Sequence, residues 1–264
     1  MGQEQRSARD SPGSAVTGRV KTGSLDTPPG EAEPFVQAAR MDSLYRWQRH
    51  VYDATRPLFL PGRDRLLRGI AVPAGGAILE VGCGTGRNLR MLAPRLPGTT
   101  LCGIDVSTEM LRTATAKLPA RLSGRIAFAC RAAGKSDPRE PFARTEPFDA
   151  IVFSYALSMM PDREAAIRGA LAALASEGTI HVVDFGGFEA WPGPARTAAL
   201  AWLAAWHVHP QPTGAAILRS LGLSVTEEHI FRGYAMVARA RRVNTVPLLG
   251  SRERPNTHPS REVG

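Results

Sequence analysis

The chain has 264 residues, 43% of them hydrophobic, and a formal net charge of +9. That is material for one domain of about 200 residues with a full core, plus tails. No stretch approaches the roughly eighteen consecutive apolar residues of a membrane span, and the N-terminus holds no apolar run that would serve as a secretory signal. The basic surplus, nearly all arginine, favours anionic partners such as nucleic acid or anionic lipid headgroups without choosing between them.

Residues 1–40 are rich in Gly, Pro, Ser and Thr and lack apolar periodicity, so a disordered tail is expected there. From Asp42 onwards Leu44, Trp47 and Val51 fall on one helical face, and a second helix is expected from Asp64 to Ile70 after the Pro61-Gly62 break. Strands are then expected near 77–82, 100–104, 125–129, 149–154, 178–183, 223–231 and 233–239. Helices are expected near 87–95, 107–118, 162–175, 195–206 and 213–221. This alternation predicts an α/β fold: a doubly wound, mostly parallel sheet of seven strands, Rossmann-like, preceded by N-terminal helices. The last two strands, joined at Arg232-Gly233, read as a hairpin that gives the sheet an antiparallel edge strand. The helix with Leu200, Trp202, Leu203 and Trp206 is expected to pack on the core, with an interfacial face as the alternative. The domain is expected to span 41–240, and the arginine-rich end, 241–264, is expected to be flexible. Cys83, Cys102 and Cys130 show no metal or disulfide spacing, which suits reduced core thiols and a cytoplasmic address. His207 and His209 lack a third ligand, so no metal is expected.

Chemistry concentrates in Ile78-Leu79-Glu80-Val81-Gly82-Cys83-Gly84-Thr85-Gly86-Arg87-Asn88, a buried strand, a turn of three alternating glycines and a helix start. Asp105 stands at the tip of the next strand, nineteen positions after Gly86. Glycine permits positive φ and close approach of a ligand, and an acid at that tip is placed to accept both hydroxyls of a ribose. A dinucleotide fingerprint would read G-x-G-x-x-G. Here the spacing is G-x-G-x-G behind Glu80, whose carboxylate would repel a pyrophosphate and suits a cationic amino-acid tail. The pattern resembles the first motif of class I methyltransferases, which bind S-adenosyl-L-methionine. On that resemblance Glu80, Gly82, Cys83, Gly84, Gly86 and Asn88 meet the amino-acid end, through backbone amides of 82–86. Asp105 grips the ribose, and Val106 and Met110 flank the adenine. Ser107 is a good helix cap in its own right, which leaves Asp105 for the ligand. Ligands of open α/β sheets sit outside the carboxyl ends of the strands, which adds Ala132, Ser154, Tyr155 and Asp184.

A closer resemblance rests on longer blocks. Tyr45-Arg46-Trp47-Gln48-Arg49-His50-Val51-Tyr52-Asp53-Ala54-Thr55-Arg56 with Phe59-Leu60-Pro61-Gly62-Arg63, then Phe153-Ser154-Tyr155-Ala156-Leu157-Ser158-Met159-Met160-Pro161 and His181-Val182-Val183-Asp184-Phe185-Gly186, are similar to the bacterial betaine-lipid methyltransferases. The resemblance implies three successive N-methylations of diacylglyceryl-homoserine to diacylglyceryl-trimethylhomoserine. Its partners would be a lipid substrate at the membrane surface and a diacylglyceryl-homoserine synthase, with the enzyme peripheral to the inner face of the membrane. Tyr52, Tyr155 and Asp184 are the catalytic candidates, the tyrosines as aromatic faces for a methylated nitrogen. Arg56 is the arginine expected to pair with a carboxylate of cofactor or substrate. The alternatives are a phosphatidylethanolamine or quinone methyltransferase, and a nucleic-acid-binding protein on the same fold. The missing N/D-P-P-Y tetrad argues against the last, and nucleic acid is not an expected partner.

Overall fold

The computed structural model describes residues 60–243. The expectations for residues 1–59, including Tyr52 and Arg56, and for residues 244–264 lie outside them. Seven strands form one sheet in the order β3-β2-β1-β4-β5-β7-β6: β1 Ala77–Val81, β2 Thr100–Asp105, β3 Ile126–Cys130, β4 Phe148–Ser154, β5 Leu174–Phe185, β6 Ser224–Ile230 and β7 Ala235–Arg241. Helices α1 Arg63–Arg68, α2 Arg87–Leu92, α3 Thr108–Ala116, α4 Arg163–Ala173, α5 Gly193–Ala205 and α6 Gly214–Ser220 connect and cover it. The first five strands in spatial order run parallel. Being covered on both faces, β1 and β3 are buried at every position and read as unbroken apolar runs apart from Glu80. One core layer joins Leu66, Leu89, Leu111 and Leu203 of α1, α2, α3 and α5. The layer on the opposite face holds Ile167 of α4 and Leu218 of α6.

Three details depart from the sequence-based expectation. The antiparallel strand, β7, lies inside the edge, between β5 and β6. Composition explains the order: Ala235, Met236, Val237 and Ala238 are buried, whereas β6 carries Glu227, Glu228 and His229 and suits a solvated edge. Strand β5 begins at Leu174, directly after α4, because Leu174 pairs with Phe148 and residues 175–178 bulge out before Thr179 pairs with Ala150. Finally, α5 does not bury its apolar side chains: Leu203 is its one buried residue, while Trp202 is 50% and Trp206 47% exposed. Strand β7 runs through Arg241, which donates to Thr179 Oγ1 at 2.9 Å.

Burial inside this sheet gives one strand residue a pH signature. His181 of β5 is buried opposite Val152 and Arg239, and neither ring nitrogen has a hydrogen-bond partner among the described residues. Burial, then the charges of Arg239 and Arg241, bring its pKa down from 6.5 to about 4. The unfolded chain takes up this proton near 6.5, the folded chain only near 4, so stability present above 6.5 is lost as the pH falls between them. Linkage gives a loss of about 2 kcal/mol at pH 5. Urea unfolding at neutral pH and at about pH 5 checks this, and His181→Leu should remove that part of the dependence.

Candidate active site

The carboxyl ends of β2, β1 and β4 meet at the point where the strand order reverses, between β1 and β4, which is where open α/β sheets leave a crevice. Register aligns the candidates there. Val81 pairs with Ile104 on one side and Phe153 on the other, so Gly82, Asp105 and Ser154 follow at adjacent strand tips. The turn after β1 needs its glycines: Gly82, Gly84 and Gly86 have φ of 73°, 52° and 67°, a region costly for residues with a Cβ. A Cβ on Gly86 would also lie 2.6 Å from the Phe128 ring, and one on Gly82 2.7 Å from the Ala156 Cβ.

The backbone amides of this turn do not point free. Gly82 and Cys83 both donate to the Ile104 carbonyl, at 2.9 and 3.0 Å, and Gly86 donates to the Cys83 carbonyl at 3.0 Å. Gly84 N–H donates to Asp105 Oδ2 at 2.7 Å. Of the amides expected to form a cradle, those of Gly82, Cys83 and Gly84 are therefore engaged by β2 and that of Gly86 by the turn itself. Asp105 Oδ1 accepts the Ser107 amide at 2.9 Å, and Ser107 Oγ caps α3 by accepting the Met110 amide at 3.3 Å. Asp105 thus clamps the glycine turn to the start of α3, a tie that the sequence reading missed.

Behind the turn Glu80 is buried and its Oε1 accepts from Asn88 Nδ2 at 2.6 Å. Asn88 Oδ1 and Ser154 Oγ are buried without a hydrogen-bond partner among the described residues, and such atoms are costly unless a ligand or water meets them. This acceptor-rich set fits the cationic amino-acid end of S-adenosylmethionine. Val106 and Met110 are half-buried beside Asp105, and buried Ala132 follows β3. All three cysteines are free and buried. Burial, then the charges of Asp105 and Glu80, push the Cys83 thiol well up, and burial pushes Cys102 up to about 12, which leaves both as unreactive thiols.

Two catalytic candidates have other employment. Tyr155 takes the left-handed conformation (φ 53°) and donates its hydroxyl to the Pro61 carbonyl at 2.6 Å. Its ring stands edge-on to Phe185 at 4.9 Å and under the Arg63 guanidinium at 5.6 Å. Burial, then the neighbouring Asp184 charge, raise its pKa, so the phenol is a fixed donor that holds the incoming chain against β4. Asp184 is 2% exposed. It accepts Ser158 N–H at 2.9 Å, Ser158 O–H at 2.6 Å and its neighbour Phe185 N–H at 2.8 Å. Burial raises its pKa and these donors oppose the rise. It ties the loop after β4 to the end of β5. A carboxylate placed there needs partners, and it has three.

Residues 79–180 match the family model described as Methyltransferase domain. That span is a methyltransferase domain, with S-adenosylmethionine as its cofactor. Trans-aconitate 2-methyltransferase of Variovorax paradoxus (strain S110) is 30% identical over 140 residues, 53% of this chain and 48% of that protein. The enzyme of the same name from Streptomyces avermitilis is 31% identical over 163 residues, 61% of this chain and 56% of that protein. The chain spans about half the length of these curated relatives. A SAM-dependent methyltransferase from Aquifex aeolicus superposes with a TM-score of 0.54 at 17% identity, covering 73% of this chain and 95% of that one; it shares the methyltransferase fold. The matched span runs from β1 into β5, which takes in the glycine turn, Asp105 and Ser154 of the methyltransferase domain. No described helix is long and apolar enough to cross a membrane.

Proposed function

We propose that the chain transfers the methyl group of S-adenosylmethionine to a small-molecule acceptor bound at the carboxyl ends of β1, β2 and β4. The observation that carries this reading is the Asp105 clamp on a turn of three positive-φ glycines, beside the buried, unpaired Asn88 Oδ1 and Ser154 Oγ. When bound, the cofactor supplies an electrophilic sulfonium methyl. Asp105 holds its ribose hydroxyls, and Glu80, Asn88 and Ser154 receive the amino-acid end. Val106, Met110 and Ala132 border the adenine. Displacement at a methyl needs an aligned nucleophile more than a triad, and the dry, packed strand ends favour alignment.

The finer reading of the acceptor is the lipid diacylglyceryl-homoserine, N-methylated three times. The exposed Trp202 and Trp206, 6.5 Å apart on α5, support it, because exposed tryptophans beside an apolar helix suit a lipid interface. Incubation with methyl-labelled S-adenosylmethionine and, separately, diacylglyceryl-homoserine, phosphatidylethanolamine and trans-aconitate tests it. Label in diacylglyceryl-homoserine products is expected. Label in trans-aconitate alone would reject the lipid acceptor and leave methyl transfer standing.

A further inference from the structure

Outside the crevice a groove of about 590 Å³ opens beside the glycine turn, walled by α1, α2, the end of α3 and the tip of β6. Its lining is divided in two. Arg65 and Arg68 come from α1, Arg87 and Arg90 from α2, and Lys117 follows α3, with Asp64 as the one acid in the lining. Leu60, Ile230 and Phe231 add apolar surface, and Phe231 is 69% exposed. The acidic offset is small. Arg65 pairs with Glu228 at 2.7 Å, and among the described residues Arg87 meets a carboxylate only at long range, 3.6 Å to Asp64. Arg87 Nη1 is buried with no hydrogen-bond partner among the described residues. Cations this close repel one another within a Debye length, and a bound anion relieves the repulsion.

We infer that this groove binds a small amphiphilic anion, a phosphate or carboxylate group attached to an apolar body. The guanidinium forks on two helices match the planar or tetrahedral oxygens of such a group, and the side chains of Ile230, Leu60 and Phe231 receive the apolar portion. The volume suits a small ligand, and an extended nucleic-acid track would need a longer stripe of charge. Apart from Thr85 of the glycine turn, the groove's lining holds none of the residues assigned to the cofactor, and the inference does not rest on the methyl-transfer proposal.

Calorimetry on the full chain with phenyl phosphate and with inorganic phosphate tests the assignment. Phenyl phosphate should bind about tenfold more tightly than inorganic phosphate, the difference being its ring. Phe231→Ser should erase that advantage, and Arg68→Gln with Arg87→Gln should weaken both ligands by about tenfold. S-adenosylhomocysteine binding, measured on the same samples, should be unchanged, which shows that the variants are folded. Phenyl phosphate affinity that survives the double arginine substitution overturns the site. So does sedimentation with phosphatidylcholine–phosphatidylglycerol vesicles in a protein that takes up neither soluble phosphate, because the source of the anion would then be a bilayer.

Discussion

Asp105→Ala should lower the affinity for S-adenosylhomocysteine about a hundredfold, or roughly 2.7 kcal/mol, with a much smaller loss of thermal stability. Two effects combine. The ribose hydroxyls lose a charged acceptor, worth about 1.5–3 kcal/mol for each hydrogen bond to a charge. The Gly84 and Ser107 amides lose the oxygens that now hold them at 2.7 and 2.9 Å, so the turn is no longer preorganised against β2. Asp105 is only partly buried, and water can replace it for the amides, which is why folding suffers less than binding. Calorimetric titration of both proteins checks it; equal affinities would mean that the sugar rests elsewhere.

Asp184→Ala should cost about 3 kcal/mol of folding stability, since it strands three buried donors. Ser158 N–H, Ser158 O–H and Phe185 N–H would face a cavity in a position that is 2% exposed in the native protein. Turnover per folded molecule should hardly change, because the carboxylate is engaged by these three donors. Denaturant unfolding beside single-turnover methyl transfer separates the two effects. A fall in turnover well beyond the unfolded fraction would restore Asp184 to the catalytic groups.

Much of this was readable from the chain because it is local. Glu80, the three glycines and Asp105 lie within two strands and a turn, and each strand buried on both faces leaves an unbroken apolar signature, so the parallel sheet and the cofactor loop follow from short-range pattern. What the sequence did not show depends on partners distant in it. Asp184 has the same appearance as a pocket acid until Ser158, 26 positions away, is found donating to it twice. The Tyr155 hydroxyl looks available until the Pro61 carbonyl, 94 positions away, is found accepting its hydrogen bond. The engaged amides of Gly82 and Cys83 depend on the Ile104 carbonyl, which periodicity cannot place. Helix α5 deceived in another way: Leu200, Trp202, Leu203 and Trp206 make an apolar stripe that resembles a core face, yet only Leu203 is buried. The basic groove was invisible for a similar reason, its cations being scattered from Arg63 to Lys117 on three helices.

The central claim is that the donor's sugar is held at the tip of β2 and its amino-acid end behind the glycine turn. A crystal structure of the protein soaked with S-adenosylhomocysteine measures this directly. The account predicts both ribose hydroxyls within hydrogen-bonding distance of Asp105, and the ligand's amino-acid end against Asn88 Oδ1 and Ser154 Oγ. A ligand seated away from Asp105, or a crevice that stays empty at saturating concentration, would contradict it.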